Sequence, residues 1–310
     1  MDTVFWLTLI GLNLIGLLPQ SGAATASEEV ADLVIIYPEV RKPFARIYEE
    51  VVRGAEEGYQ HKVRRVPMAD NQSPVDFVHV LDKSSPVLVL GNRLARQVTE
   101  HNHERHLIVG AVSSEYSNVF GITLIPDVEV IAQKLPVLVP GVKTVHIVTN
   151  AESSLMDFAW ATQALSQQSI QLSIHQAENI RDAAGVYREL MQTLDKDDAV
   201  WILPTGSFVN NAMLSILLHE SWEKHFVVFS SNPVHVKRGA LFSIYPNNYK
   251  MGLSLGHLAR SIADKTQQSE RRMQALEDIF ITLNERTSNH LGINLSDDMR
   301  THIDLILPAR

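Results

Sequence analysis

The sequence predicts an α/β fold in which two lobes each carry a parallel sheet, and two observations predict it. Strand-like apolar runs alternate with segments of helical period along almost the whole chain, the pattern of βαβ units whose parallel strands need helical crossovers. With 310 residues, 45% of them hydrophobic, the chain can bury one large core or two ordinary ones, and no tract is disordered in composition, repetitive or linker-like.

Taken in order, the chain opens on an apolar run from Val4 to Leu18, then the helix-breaking Pro19, then Ala24-Thr25-Ala26, a cleavage-type sequence. The run is shorter than the roughly 20 apolar residues of a spanning helix. Residues 1–26 therefore read as a secretory signal peptide, although the segment before the run carries Asp2 and neither Lys nor Arg; the alternative is an uncleaved anchor. A periplasmic location follows, without stable membrane insertion after cleavage. The chain has no cysteine, which excludes disulfides, thiolate metal sites and Cys nucleophiles. A formal net charge of -8 with no Lys/Arg-rich run leaves no electrostatic footprint for nucleic acid or anionic membrane.

The expected strands are DLVIIYP, KVRRVPM, PVLVLG, HLIVGAV, TVHIVTN, IQLSIHQA, AVWILP, HFVVFSS and ALFSIYP. After Pro43, a residue suited to a first helical turn, Phe44, Ile47, Tyr48, Val51, Val52 and Ala55 recur on one face with charged residues between them, which predicts an amphipathic helix. A second helix runs from Leu155 through Phe158, Ala159, Thr162 and Leu165, with Ser153 or Ser154 as its cap, and a third from Asn211. At NVFGITLIPDVEVIAQKL one run of βα units ends and Asp127 caps a helix leading into another, a short apolar connection that reads as a hinge. Gly252, Leu255, Gly256, Ala259 and Ile262 share a helical face, so the two glycines are expected to allow close helix–sheet packing.

In open α/β sheets ligands sit beyond the carboxyl ends of the strands, against helix N-termini. The residues there are Tyr37-Pro38-Glu39, Gly91-Asn92-Arg93, Ser113-Ser114-Glu115, Asn150-Ala151-Glu152-Ser153, Pro204-Thr205-Gly206-Ser207, Ser230-Ser231-Asn232 and Tyr245-Pro246-Asn247. Hydroxyls and amides without a strong nucleophile suit reversible binding of a small polar ligand; the competing reading is that they only cap helices. No phosphate-binding, dinucleotide or nucleophile-elbow motif occurs, so an enzyme is not expected, and no cofactor. His101, His103 and His106 lack a metal-ligand spacing, and His219 and His225 stand six apart where the H-E-x-x-H motif has four, so no metal site is expected. The carboxylates of LDKDD, Leu194 to Asp198, read as a solvated turn.

Four segments carry a resemblance. NVFGITLIPDVEVIAQKLPVLVPGVKTVHIVTNAESS, DDAVWILPTGSFVNNA, VKRGALFSIYPNNYKMGLSLGHLARSIAD and ITLNERTSNHLGINLSDDM occur in the order of corresponding segments in the ABC-transporter substrate-binding proteins of the tryptophan/tyrosine-transport-like group, and the chain resembles that family over most of its mature length. The resemblance implies the type I periplasmic-binding fold: two Rossmann-like lobes with parallel sheets, joined by three hinge crossovers, closing on a small molecule and delivering it to an ABC permease. It places lobe I at 27–122 plus 243–277 and lobe II at 123–242 plus 278–310. It assigns ligand contacts to Ser113, Ser114, Asn150, Thr205, Ser231 and Asn232, with Tyr37, Asn92 and Tyr245 completing the set. One departure bears on the ligand: Gly206 stands where the family has an Asp that would meet an ammonium group, leaving Glu115 or Glu152 as substitutes. The alternative function is a periplasmic sensor or adaptor of the same fold that signals to a membrane-bound protein.

Overall fold

The computed structural model describes residues 31–42, 44–101, 107–150, 156–204, 207–266 and 272–308. The signal segment, Pro43, His103, His106, Glu152, Ser153, Ser154, Thr205 and Gly206 lie outside the described residues.

The first half runs β1 (Leu33–Pro38), α1 (Phe44–Tyr59), β2 (Val63–Met68), α2 (Pro74–His79), β3 (Val87–Leu90), α3 (Asn92–Thr99), β4 (Leu107–Val112), β5 (Phe120–Pro126), α4 (Val128–Leu138) and β6 (Thr144–Thr149). It continues with α5 (Phe158–Gln167), β7 (Gln171–Gln176), α6 (Ile180–Thr193), β8 (Asp198–Ile202), α7 (Asn211–Lys224), β9 (Val227–Ser230), α8 (Pro233–Arg238) and β10 (Phe242–Pro246). The chain closes with α9 (Asn248–Ala263), β11 (Met273–Leu276), β12 (Ile279–Asn284), α10 (Glu285–His290), α11 (Asp297–Thr301) and β13 (Leu305–Leu307).

The strands form two sheets, in the orders β11-β5-β4-β3-β1-β2 and β13-β12-β10-β9-β8-β6-β7. All pairs are parallel except β10 with β12. Side-chain alternation splits each strand between two cores. In β1, Leu33 and Ile35 pack with α1 and α9, while Val34 and Ile36 pack with α2 and α3. In β8, Ala199 and Trp201 pack with α4 and α5, while Val200 and Ile202 pack with α6 and α7. A sheet buried on both faces explains why these strands read as nearly unbroken apolar runs.

The fold is thus α/β with two Rossmann-like lobes, as predicted, and the chain passes between its sheets three times. The passages follow Pro126, Pro246 and Leu276. Residues 123–126 continue β5 in the first sheet and 243–246 lie in β10 of the second, each in the opposite sheet from the lobe the sequence assigns it. The reason is pairing: β5 runs on beside β4 and β11, and β10 is held between β9 and β12. Asp127 caps α4 as predicted, its Oδ1 accepting from the Glu129 amide at 2.8 Å. The helix after β6 starts later than the sequence suggests, at Phe158, where Asp157 accepts from the Trp160 amide at 3.0 Å.

The glycines of α9 meet a helix rather than the sheet, a correction to the expected packing. A Cβ on Gly252 would lie 2.1 Å from the Val51 carbonyl oxygen, and one on Gly256 would lie 2.3 Å from that of Ala55. The relation is reciprocal, since Cβ atoms on Gly54 and Gly58 would lie 2.0 and 2.2 Å from the carbonyl oxygens of Tyr249 and Leu253. Gly54 and Gly58 on α1 therefore face Gly252 and Gly256 on α9, so that the two backbones touch. Gly185, in α6, has nothing within 4 Å of its Cβ position. Gly256→Ala is expected to lower stability by about 1–3 kcal/mol through overpacking, and Gly185→Ala to raise it by up to about 1 kcal/mol through helix propensity. Urea unfolding of the two variants beside the parent checks both signs; equal effects would mean that the seam is not close-packed.

Candidate functional site

The loops leaving the carboxyl ends of the strands put most of the predicted polar residues on one side of each sheet. Several of them are committed to structure. Asn232 caps α8, its Oδ1 accepting from the Val234 amide at 3.0 Å, and Asn247 caps α9 in the same way through Lys250 at 3.1 Å. The Ser231 hydroxyl accepts from the indole N–H of the buried Trp201 at 3.3 Å. The Tyr245 hydroxyl lies 3.1 Å from Thr282 Oγ1, and its ring tilts against Phe280, so it braces β10 on β12 at a crossover. Tyr37 packs, half-buried, on the core beneath α1.

Others bond to one another or have an unbonded polar atom. Asn92 clasps Ser113 through two hydrogen bonds: Nδ2 donates to Oγ at 2.8 Å, and Oδ1 accepts from the Ser113 amide at 2.9 Å. The Tyr116 hydroxyl donates to the Asn92 carbonyl at 3.2 Å, locking the loop after β4 onto the start of α3. Ser114, at the tip, is exposed. From the other sheet, Asn150 ends β6 with its Oδ1 buried and unbonded.

Arg93 is the residue the sequence reading leaves out of the ligand set. Both its terminal nitrogens are buried without a hydrogen bond, and Asp70 approaches Nη2 only to 3.4 Å. The sequence does carry a signal for it. A cation in the first turn of a helix opposes the macrodipole and has no reason to be there for helix stability. Next to it, Gly91 holds φ at +86°, and a Cβ there would lie 2.7 Å from the Tyr48 hydroxyl, so glycine is required for α3 to begin where it does. Burial raises the Tyr48 pKa, and the nearby Arg93 charge opposes that shift.

A cavity of about 560 Å³ lies where the two sheets' elements meet, beside the crossovers. The first lobe supplies Glu115, Tyr116, Thr123, Ile125 and Arg272, and the second supplies Val128, Met156 and Trp160. Asp127 and Asp157, the caps of α4 and α5, also line it, so its wall combines three carboxylates, two of them exposed, with one exposed guanidinium and apolar surface, a lining that can take a small ligand with polar ends and a hydrophobic body. The LDKDD segment forms a turn, with Asp197 paired to Lys143 and Lys196 and Asp198 paired to His146. Among the described residues no group of three His, Cys, Asp or Glu could hold a metal ion, and no helix is long and apolar enough to cross a membrane.

Two lobes, three crossovers and a cavity walled from both sides make up the architecture of the chain. Residues 106–304, more than half of the chain, match the family described as ABC transporter substrate binding protein, and the chain belongs to that family. No curated protein matches it in sequence. Among solved structures, the ligand-free, open structure of CD0873, a substrate binding protein with adhesive properties from Clostridium difficile, is similar over 89% of this chain and 99% of that one, with TM-score 0.65 and 16% identity. The ABC domain in complex with L-Trp from Streptococcus pneumonia matches over 89% and 99%, with TM-score 0.57 and 13% identity. A sugar-binding protein of a sugar ABC transporter from Bacillus halodurans matches over 85% and 99%, with TM-score 0.51 and 9% identity. At these identities the likeness is one of fold, that of type I periplasmic binding proteins.

A pH dependence follows from His235, which lies beneath the Ser231–Asn232 loop with its Nδ1 2.8 Å from the Ser230 hydroxyl. Burial, and secondarily the charge of Arg238, lower its pKa from the ordinary 6.5. The folded chain then holds the neutral imidazole while the unfolded chain begins to protonate near 6.5, so this stabilisation is complete above 6.5 and is lost as the pH falls below it. His175, lowered by burial and by its neighbour His146, acts in the same direction. The melting temperature is expected to fall from pH 7.5 to 5.5, and less so in a His175→Gln/His235→Gln variant; an unchanged slope would rule these two groups out as its source.

Proposed function

We propose that the protein is exported to the periplasm by residues 1–26, captures a small polar ligand in the inter-lobe cleft without chemically changing it, and presents it to the permease of an ABC importer. The observation that carries this reading is the cavity of about 560 Å³ walled by both lobes, in a chain of a substrate-binding family. A ligand touching both walls binds the closed form better than the open one, and that difference in affinity drives closure. Family membership favours transport over the signalling alternative, for which no separate observation speaks.

In this reading Arg272 and Glu115 meet the polar ends of the ligand, and Trp160 and Met156 its apolar part. Glu115 takes the place of the carboxylate that Gly206 lacks. Arg93 and Asn150, with unbonded polar atoms at strand ends of opposite lobes, are further contacts that pair when the cleft closes. Leaving such groups unpaired in a buried site costs about 1–3 kcal/mol each, so their pairing favours the closed, loaded state.

The test is a thermal-shift panel of amino acids, nucleobases, sugars and organic acids on the chain lacking residues 1–26. A true ligand at 100 times its Kd should stabilise the fold by about 2.7 kcal/mol. Glu115→Gln and Trp160→Ala should each weaken the ligand so found by about tenfold or more, roughly 1.4 kcal/mol, as read by calorimetric titration. A panel with no stabilising compound would sink transport of these classes. Unchanged affinity in both variants would move the site away from this cavity.

A further inference from the structure

A second cavity, of about 430 Å³, lies in the second lobe between α7, α8 and α10. It is lined by Lys237, Arg238 and Arg286 together with His219, Trp222 and Thr287, and no carboxylate contributes to its wall. This inverts the balance of the whole chain, where Asp and Glu outnumber Lys and Arg by 35 to 27. Of the carboxylates on the same helices, Glu220 pairs with Lys224 and Glu285 with Arg300, and Glu223 on α7 does not line the cavity.

Among the described residues none of the three cations has a carboxylate partner, and two of them, Arg238 and Arg286, are held in position. Arg238 donates to Asn211 Oδ1 at 2.5 Å, to the Asn211 carbonyl at 3.2 Å and to Ser215 Oγ at 3.0 Å, all of them uncharged acceptors. The Arg286 guanidinium lies 5.9 Å from the centre of the Trp222 ring, which is itself stacked on His290 at 3.4 Å. A cation–π contact holds an arginine in place and leaves its charge available. A helix C-terminus accounts for Lys237 and Arg238 on α8. It does not account for Arg286, which lies in the first turn of α10, where the macrodipole opposes a cation.

The place of this cavity separates it from the cleft. Gly239 and Arg238 precede the amino end of β10, and Asn284 ends the antiparallel β12, whose Asn284 amide bonds the Leu241 carbonyl at 2.7 Å. That is the edge of the sheet opposite the one from which the cleft loops leave.

We propose that this cavity is a second binding site, specific for a phosphate monoester group. Three unneutralised cations exceed the single charge of a carboxylate, whereas a phosphate monoester brings about -1.5 to -2 at neutral pH and three acceptor oxygens. The arginines match those oxygens in fork geometry. A phosphate monoester reaches the site either as a free small molecule or as the headgroup of a phosphatidic-acid-like lipid.

The experiment titrates the chain lacking residues 1–26 with glycerol phosphate, with acetate, and with sodium chloride at matched ionic strength, following heat and the tryptophan fluorescence of a Trp160→Phe variant beside the parent. Vesicles of phosphatidylcholine with and without phosphatidic acid form the lipid arm. Saturable binding of glycerol phosphate, or of phosphatidic acid vesicles alone, is expected and tells the free source from the lipid one. Lys237→Gln and Arg286→Gln, both at exposed positions, should each weaken it at least about fivefold with an unchanged melting temperature, while Glu115→Gln in the cleft should not alter it. Absence of saturation in both arms, equal response to acetate or salt, or indifference to both substitutions would overturn the proposal.

Discussion

The close contact of α1 and α9 is the constraint on which the arrangement of the lobes rests. The chain leaves the first sheet at Pro126, builds most of the second, and returns at Pro246 directly into α9. That helix must dock with enough precision to bring β11 back beside β5, because β11 is the next strand of the first sheet. Four glycines in two i, i+4 pairs let the two helix backbones meet, and buried Val51, Ala55, Leu255 and Ala259 fill the space around them. Such an interface has little tolerance, since close-packed cores do not deform continuously.

Polar residues at the strand ends divide into two populations, and the division follows from the needs of helix termini. Every helix leaves amide groups unsatisfied at its start. Asp127, Asp157, Asn179, Asn210, Asn232, Asn247 and Asn284 meet that need with side-chain oxygens, and so are not free to serve a ligand through the same atoms. Among the described residues, groups with unspent hydrogen-bonding capacity at the strand ends include Arg93, Thr149 and Asn150, beside the Glu115 and Arg272 charges on the wall of the cavity. The chemistry of the cleft is therefore more charged than a reading centred on hydroxyls and amides implies.

Charge is also distributed unevenly over the second lobe. Carboxylates at the Asp195–Asp198 turn are matched by Lys143, Lys196 and His146, and form a settled structural network. On the far edge of the same sheet, Lys237, Arg238 and Arg286 converge without such partners. In a chain of net charge -8, this cationic cavity lies at the amino end of β10, away from the cleft loops.

The sequence by itself determined the fold class, most of the strands and the family resemblance, because these depend on local periodicity and on the order of segments. Long apolar runs such as VLVL and LIVGAV identify strands buried on both faces wherever they occur. It also determined that Asp127 would start a helix, since a cap needs only its own next few residues. The strands β5, β11, β12 and β13 are not among those expected: β5 reads as part of a hinge connection, and the other three are held by neighbours far away in the chain and carry no strong period of their own. Only the tertiary structure decided that Gly252 and Gly256 face a helix rather than a sheet, that Ser231 serves Trp201, and that Arg93 lacks a hydrogen-bond partner. Each of these facts concerns which distant atom lies within a few ångströms, and a pattern along the chain cannot encode the identity of a partner that packing alone brings near.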